Sequence, residues 1–290
     1  MRRQRENEVT DTLERLDLRG SGIGMVADAA GPADAQPILF LHGSGQSRGS
    51  WRKALLEAAG RGYRAISLDL RGHGDTDWSP DGMYNVELLI ADLRRVIEQI
   101  GSPPILVGTS ARATVGMIVA ASPPPPVHAA VLIDISPTPQ MEGIDEVRAF
   151  MGSAREGFAS LEEAADAVAA YLPQRSRPKD TTGLQRNLRF RDGRYYWHWD
   201  PEVFFQMSGE PAHVEKSLAL LKRAAKTLTV PILYVRGGKS NVVTEEGARA
   251  FLELVPHAEY ANIAGAHHMV AGDANDAFNE AVFDFIGRQI

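Results

Sequence analysis

Short runs of Val, Ile and Leu alternate along this chain with longer segments of helical periodicity, and this alternation constrains the fold more than any other feature. Continuous apolar runs bounded by turn residues are typical of strands that are buried on both faces of a sheet. The predicted strands are Ile38–His42, Arg64–Leu70, Ile105–Gly108, Ala129–Ile135, Val230–Arg236 and Glu259–Ile263. Between them, segments such as 85–100 place their apolar residues on one helical stripe. The order of these elements predicts an α/β fold, with a mostly parallel twisted sheet and helices on both faces.

The alternation stops in the segment 138–227, which has helical patterns and no run typical of a buried strand. We therefore expect this segment to form a helical cap insertion between two parts of one core, 1–137 and 228–290. Its densest aromatic cluster consists of Tyr195, Tyr196, Trp197, Trp199, Phe204 and Phe205. These side chains either line a substrate pocket or form the small core of the insertion itself.

The composition excludes several classes of function. The 290 residues include no cysteine, which rules out disulfides, thiolate catalysis and Cys-ligated zinc. The formal net charge of −6 gives no basic footprint for nucleic acid and disfavours an anionic membrane surface. No apolar run is long enough to span a bilayer, and the charged N-terminus is not followed by the apolar segment of a secretory signal. We therefore expect a cytoplasmic protein, as a monomer or a homodimer, whose partner is a small-molecule substrate.

Polar side chains follow several predicted strands, at the edge of the sheet where α/β proteins bind their ligands. Ser110 stands between the strand Ile105–Gly108 and the helical run Ala111–Ala120. A serine on such a sharp turn projects its hydroxyl from the sheet, and the backbone N–H of Ala111 can stabilise a developing oxyanion. The same serine could instead serve only as the N-cap of the helix.

Two further segments fit a nucleophilic Ser110. The turn at 42–44 follows an earlier strand, and the backbone N–H of Ser44 can approach a substrate oxygen as the second oxyanion donor. His268 follows the last predicted strand and is a candidate general base for the serine proton. Its neighbour His267 suggests a metal site, but no third ligand at a characteristic spacing accompanies the pair, so we expect neither a metal nor a cofactor. The residues expected to line the substrate pocket are His42, Gly43, Tyr196, Trp197 and Trp199.

A resemblance to a known family rests on the segments Phe40–Gln46, Leu68–Asp77, Leu106–Ser110 and Gly265–Met269. In this order they resemble the α/β-hydrolase superfamily over nearly the whole chain. The subgroup most similar to them is that of bacterial capped hydrolases related to epoxide hydrolases, cofactor-free haloperoxidases and small esterases. The resemblance implies an α/β-hydrolase fold, and it gives the acidic and basic residues of 69–77 a turn-stabilising role rather than a catalytic one.

One departure from the family pattern lies beside the candidate nucleophile. The family elbow reads Gly-x-nucleophile-x-Gly, whereas Arg112 stands at its last position here. A small residue is usual because the tight turn leaves little room. An arginine must therefore point outward, loosen the turn or place a cation near Ser110.

The second departure concerns the acid that orients the histidine. At the position where the family commonly carries an aspartate, this chain has Asn241. An amide can orient a histidine but lacks the charge that stabilises the imidazolium, and the equivalent change in a serine protease lowers kcat by about 10⁴. Asp134, at the end of the strand after the serine turn, is an alternative acid, as in haloalkane dehalogenases of this fold. It could instead only cap that strand.

Two functions follow from these residues. A serine suits attack at a carbonyl carbon, which favours an ester, thioester, lactone or amide over the epoxides that aspartate nucleophiles of this fold open. The first hypothesis is therefore a carboxylesterase-like serine hydrolase with an atypical acid position that lowers its activity. The alternative is a non-hydrolytic or impaired member of the fold that binds a ligand or catalyses other chemistry, including epoxide hydrolase-like or haloperoxidase-like reactions.

Overall fold

The computed structural model describes residues 13–173, 177, 180–203, 211–270 and 275–289. Its strands are β1 (Glu14–Arg19), β2 (Gly24–Ala30), β3 (Pro37–Leu41), β4 (Arg64–Leu68), β5 (Ile105–Thr109), β6 (Ala129–Ile133), β7 (Leu188–Arg191), β8 (Arg194–Trp197), β9 (Ile232–Gly237) and β10 (Glu259–Ile263). Eight of them form one sheet in the order β1-β2-β4-β3-β5-β6-β9-β10. The strands from β4 to β10 in that order pair in parallel, whereas β1 and β2 pair antiparallel at one edge. The sheet is therefore mostly parallel, as the sequence predicts.

Helices cover both faces of this sheet. They are α1 (Arg52–Gly60), α2 (Val86–Ile100), α3 (Ala111–Ala120), α4 (Met141–Met151), α5 (Leu161–Tyr171), α6 (Pro211–Ala225), α7 (Glu245–Leu254) and α8 (Asn275–Gly287). Alternate residues of the strands belong to different apolar clusters: Leu106 packs with α2, α3, α6 and α7, whereas Ile105 and Val107 pack with α1 and α8. This period of two is what a strand buried on both faces requires.

The six predicted strands are all present, but the antiparallel edge pair β1 and β2 is not among them. In β1 the exposed positions carry charged residues such as Glu14 and Asp17, and only alternate side chains are partly buried. β1 therefore has no continuous apolar run, which is the feature that predicts the central strands. Charges on an edge strand also oppose pairing with other chains.

The segment between β6 and β9 differs from the helical insertion that the sequence predicts. It contains α4, α5 and α6, but also an antiparallel hairpin of β7 and β8. The hairpin turns at Asp192 and Gly193, both with positive φ (51° and 79°), which is the type of turn that Asp-Gly favours. A third apolar cluster lies in this segment and includes Met151, Trp197 and Trp199. Phe204 and Phe205 lie outside the described residues, and the boundaries at 138 and 227 stay predictions.

The acidic and basic residues of 69–77 hold turns, as the family resemblance implies. The buried carboxylate of Asp69 accepts hydrogen bonds from the backbone of Arg48 and Asp75. Arg71 forms a buried ion pair with Asp92 of α2 at 2.8 Å. These contacts fix the conformation of the loop after β4. Within the described ranges, no helix combines the length and the apolar character needed to cross a bilayer.

Candidate active site

Ser110 occupies a strained turn between β5 and α3. Its backbone has φ 56° and ψ −139°, a conformation that residues with a side chain rarely adopt. The turn is held because the N–H of Ser110 donates to the carbonyl of Ile133 at 2.8 Å, while its own carbonyl accepts from Ala113 at 2.9 Å. Gly108 permits the close approach of α3, since a Cβ there would lie 3.0 Å from the Cα of Ala113. The sharp turn expected from the sequence is present.

His268 connects Ser110 to a carboxylate. Its Nε2 lies 3.1 Å from the hydroxyl oxygen of Ser110, and its Nδ1 lies 2.6 Å from Oδ2 of Asp134. With Nδ1 donating to the carboxylate, Nε2 is left as the acceptor for the serine proton. His268 comes from the loop after β10, Ser110 from the end of β5 and Asp134 from the end of β6, so three strand ends converge on one point.

Asp134 is buried and held from several sides. Its Oδ1 accepts the backbone N–H of Gly237 at 3.0 Å, and its Oδ2 accepts the hydroxyl of Ser240 at 2.6 Å in addition to His268. The Ser240 oxygen in turn accepts the backbone N–H of Val243 at 3.1 Å. Asp134, like Ser110, has a positive φ (53°). Hydrogen bonds to the charged form satisfy the buried carboxylate and fix its orientation.

The structure does not bring Asn241 to the histidine. The Asn241 side chain is exposed, and its amide donates to the carboxylate of Glu146 on α4. The reason is local, because the loop after β9 turns Ser240, not Asn241, towards Asp134. The placement of Asn241 at the acid position is therefore corrected: the carboxylate beside His268 belongs to Asp134.

The expected oxyanion donors border the same space as the serine. Ser44 and Ala111 line a cavity together with Ser110 and His268. The turn that carries Ser44 is closed by Gln46, whose side-chain oxygen accepts the backbone N–H of Gly43 at 2.9 Å. This contact was not foreseen from the sequence, although the spacing of Gly43 and Gln46 is that of a short turn.

His42 lies outside the cavities that border Ser110 and is fully buried. Its Nε2 accepts the backbone N–H of Leu70 at 3.1 Å, so Nδ1 carries the proton and donates to the carbonyl of Gly43 at 2.8 Å. Burial is the main reason that the pKa of His42 falls to about 3. The assignment of His42 to the substrate pocket is therefore corrected: it ties the turn at 43–46 to the loop after β4.

Two cavities meet at the serine, and both border Ser44, Ser110 and His268. One, of about 160 Å³, is lined by arginine and aliphatic side chains and is called here the arginine cavity. The residues that define it are Arg112, Arg148, Val86, Ile135, Ile144 and Leu218. The other, of about 320 Å³, is called the aromatic cavity. It is defined by Gly43, Trp51, Phe150, Tyr171, Trp197 and Trp199.

The expected aromatic pocket residues separate into two groups. Trp197 and Trp199 stack at 4.8 Å between ring centroids and line the aromatic cavity, while both also belong to the apolar core of their segment. Gly43 lines the same cavity. Tyr196, in contrast, lies beneath the guanidinium of Arg191 and borders a different cavity that does not reach Ser110. Its expected place in the substrate pocket is corrected: Arg191 covers its ring, and the cavity that it borders, which Trp197 and Trp199 also line, does not include Ser110.

Arg112 points inward, and so places a cation near the nucleophile. It is 1% exposed and lines the arginine cavity. Burial is the main cause that lowers the pKa of His42 and of His73, and the charge of Arg112 lowers both pKa values further. Burial lowers the pKa of Arg112 to about 10, so the guanidinium stays charged at neutral pH.

Sequence reasoning missed two polar side chains at the site. Ser240, which donates its hydroxyl to Asp134, stands one position before Asn241. A hydroxyl in the loop after β9 was the only sequence signal that could have indicated this contact. Arg148 comes from α4 and gave no motif, because only the packing of α4 over the strand ends brings it to the cavity. Among the described residues, no three His, Asp or Glu side chains are arranged to hold a metal ion.

A mostly parallel sheet with helices on both faces and a serine on the turn after a central strand places the protein in the class of α/β-fold hydrolases. The chain belongs to the alpha/beta hydrolase family, whose model matches residues 38–281.

Three known proteins illustrate the relationship. The chain is 29% identical to sn-1-specific diacylglycerol lipase ABHD11 of Mus musculus, over 88% of this chain and 82% of the relative. It is also 29% identical to esterase Rv0045c of Mycobacterium tuberculosis, over 86% of this chain and 82% of the relative. Among solved structures, E-2-(acetamidomethylene)succinate hydrolase superposes with a TM-score of 0.84 at 21% identity, covering 95% of this chain and 100% of that one. This last likeness concerns the fold.

Proposed function

We propose that the protein hydrolyses an ester or a related acyl substrate of small to medium size, with Ser110 as nucleophile and His268 as base. The observation that carries this proposal is the position of His268, whose two ring nitrogens hydrogen-bond to Ser110 at 3.1 Å and to Asp134 at 2.6 Å. Such a chain of acid, base and nucleophile activates a hydroxyl that is a weak nucleophile on its own.

The reaction begins when Nε2 of His268 takes the proton of Ser110 and the serine oxygen bonds to the acyl carbon. The carbonyl oxygen becomes an oxyanion, which the backbone N–H groups of Ser44 and Ala111 stabilise. The imidazolium then gives its proton to the departing alcohol as the bond to the acyl carbon breaks. Water attacks the acyl-enzyme in the same way, with His268 again as base, and releases the acid and free Ser110.

Asp134 is the third member of this arrangement in our proposal. Its carboxylate fixes the tautomer of His268 and stabilises the imidazolium. The lower activity expected from an amide at the acid position has no basis in this geometry, because the contact to His268 comes from a carboxylate while Asn241 contacts Glu146. A fully competent hydrolase is therefore expected.

The substrate class follows from the nucleophile and the cavities. A serine forms an acyl-enzyme with carbonyl substrates, whereas opening of an epoxide in this fold uses a carboxylate nucleophile. The names of the two relatives above, a lipase and an esterase, support ester hydrolysis. We propose that the segment 138–227 acts as the cap, since its Val147 and Trp199 line the aromatic cavity together with Ser110.

A second candidate, a binding protein without hydrolytic activity, is favoured only by the buried cation of Arg112 next to the nucleophile. Hydrolysis of a panel of 4-nitrophenyl esters from acetate to octanoate distinguishes the two. We expect turnover by the native protein and by the control Ser102→Ala, an exposed serine, and a loss of at least about 10³ in kcat for Ser110→Ala. Activity that survives in folded Ser110→Ala would overturn the proposal, and saturable ester binding without turnover would favour the second candidate.

A further inference from the structure

The side chain of Arg148 lines the arginine cavity, and part of its guanidinium lacks a hydrogen-bond partner among the described residues. Its Nη1 donates to Asp145 on the preceding turn of α4. Its Nε and Nη2 are buried, and among the described residues they meet no hydrogen-bond partner. These two N–H groups point in parallel and match the two oxygens of a carboxylate. Burial of charged donors without an acceptor is costly, so a ligand that supplies the acceptor is expected there.

The charges around the cavity add to this preference. Arg112 lines it as a second buried guanidinium. The one carboxylate in its described lining, Asp134, already accepts hydrogen bonds from Gly237, Ser240 and His268. Asp145, which pairs with Arg148, has a side chain that is 60% exposed. Two guanidinium groups and one carboxylate therefore line the cavity, and this balance favours an anionic ligand over a neutral one.

Size and apolar lining restrict what the anion can be attached to. The cavity measures about 160 Å³, and besides its arginines and Ser110 it is lined by aliphatic residues such as Ile135, Ile144 and Leu218. A short aliphatic chain fits this lining, and a carboxylate at its end can reach a guanidinium.

We propose that the arginine cavity binds a carboxylate carried by the substrate, with Nε and Nη2 of Arg148 holding its two oxygens and Arg112 supplying a second positive charge. The inference rests on the proposed hydrolysis at Ser110 and names its substrate class as an ester or related acyl compound with a free carboxylate a few carbons from the reacting carbonyl. The carboxylate belongs to the acyl part or to the alcohol part of the substrate, and the two sources are separated by the test.

Three esters of similar shape provide that test, with acid release followed by pH-stat titration. Monoethyl glutarate carries the carboxylate on the acyl part, O-pentanoyl glycolate carries it on the alcohol part, and ethyl pentanoate carries none. We expect one of the two anionic esters to exceed ethyl pentanoate at least tenfold in kcat/KM, mainly through a lower KM. In Arg148→Met this preference falls at least tenfold, and Arg148→Lys is intermediate because it keeps the charge but loses the paired N–H groups.

The matched control is Arg95→Met, which removes an exposed arginine of α2 and should keep the native preference. Thermal unfolding of each variant shows that it is folded. Equal kcat/KM for all three esters in the native protein, or a preference that survives in Arg148→Met, would overturn the inference while leaving the hydrolytic function in place.

Calorimetric titration of Ser110→Ala with glutarate tests the carboxylate site without any turnover. We expect saturable binding that is weakened at least tenfold when Arg148→Met is added. If no ester is turned over but glutarate binds in this manner, the proposed function fails and the carboxylate site stands. If esters are turned over but glutarate shows no binding that depends on Arg148, the carboxylate site fails alone.

Discussion

The carboxylate of Asp134 lies 2.6 Å from Nδ1 of His268, although the two residues are separated by 134 positions in the chain. The contact joins the end of β6 to the loop after β10. Of the two positions considered for the acid, 241 and 134, it is therefore position 134 that contacts the histidine. Because Asp134 is fully buried and also holds Gly237 and Ser240, its orientation is fixed before substrate binds.

Asp134→Asn is expected to lower kcat by about 10³ to 10⁴, because the amide presents the wrong hydrogen-bonding group to His268 and cannot stabilise its charged form. Asn241→Asp is expected to change kcat less than about threefold, since that side chain contacts Glu146. Steady-state kinetics on one 4-nitrophenyl ester compares the two. A large gain from Asn241→Asp with little loss from Asp134→Asn would show that the histidine takes its acid from the other loop.

Ser240→Ala removes one donor to Asp134 and should reduce kcat roughly tenfold with little change in KM, because the carboxylate then holds His268 less firmly. Ser240→Thr keeps the hydroxyl and should recover most of the activity. The split between kcat and KM distinguishes positioning from a general loss of structure. An equal effect of alanine and threonine would argue against this role.

The backbone of Ser110 stores strain, which predicts an unusual order of stabilities among inactive variants. Its φ of 56° is costly for any residue with a Cβ and free for glycine. Ser110→Gly should therefore be more stable than Ser110→Ala by about 1 kcal/mol, even though glycine usually destabilises through the entropy of the unfolded chain. Urea unfolding of the two proteins measures the difference. A less stable glycine variant would mean that the turn relaxes when the hydroxyl is lost.

Buried histidines predict that the protein loses stability in mild acid. Burial lowers the pKa of His42 to about 3 and that of His198 to about 4, and it also lowers the pKa of His73. Below pH about 6.5 the unfolded chain therefore binds protons that the folded chain does not. The stability that neutral histidines provide is complete above that pH and declines as the pH falls towards 4, by about 1.4 kcal/mol per pH unit for each histidine.

Urea unfolding between pH 7.5 and 4.5 tests this dependence. His198→Asn should reduce the slope of the unfolding free energy against pH by about 1.4 kcal/mol per unit, the share of one proton. His128→Asn, at an exposed histidine, serves as the control and should leave the slope close to that of the native protein. Identical slopes for His198→Asn and the native protein would contradict the lowered pKa of His198 in the folded state.

The central sheet and the serine turn could be predicted because their signals are local. Largely apolar runs identified β3 to β6 and β9, the more polar segment Glu259–Ile263 was also predicted as a strand and forms β10, and the Gly-x-Ser sequence between a strand and a helix identified Ser110. The edge strand β1 was missed because its alternating charged residues resemble a solvated loop. The hairpin β7–β8 had a usable signal in Asp192 and Gly193, which the aromatic composition of the segment obscured.

The partners of the serine depend on contacts that local patterns do not contain. Asp134 and Asn241 both follow strands that end near His268, and the choice between them is made by the conformation of the loop after β9. Arg148 reaches the cavity only through the packing of α4, and a long side chain at a given position predicts little about where its charge lies. His42 looked like a pocket residue from its place in a turn, but its ring is used to hold that turn.

Covalent labelling of the native protein with a fluorophosphonate, followed by intact-mass measurement and peptide mapping, tests the central claim most directly. An activated serine is expected to take one phosphonyl group, located on Ser110, and Asp134→Asn is expected to react far more slowly. The reagent should label neither Ser110→Ala nor the heat-unfolded protein. Failure of the folded native protein to react, or an adduct on a residue other than Ser110, would contradict the account.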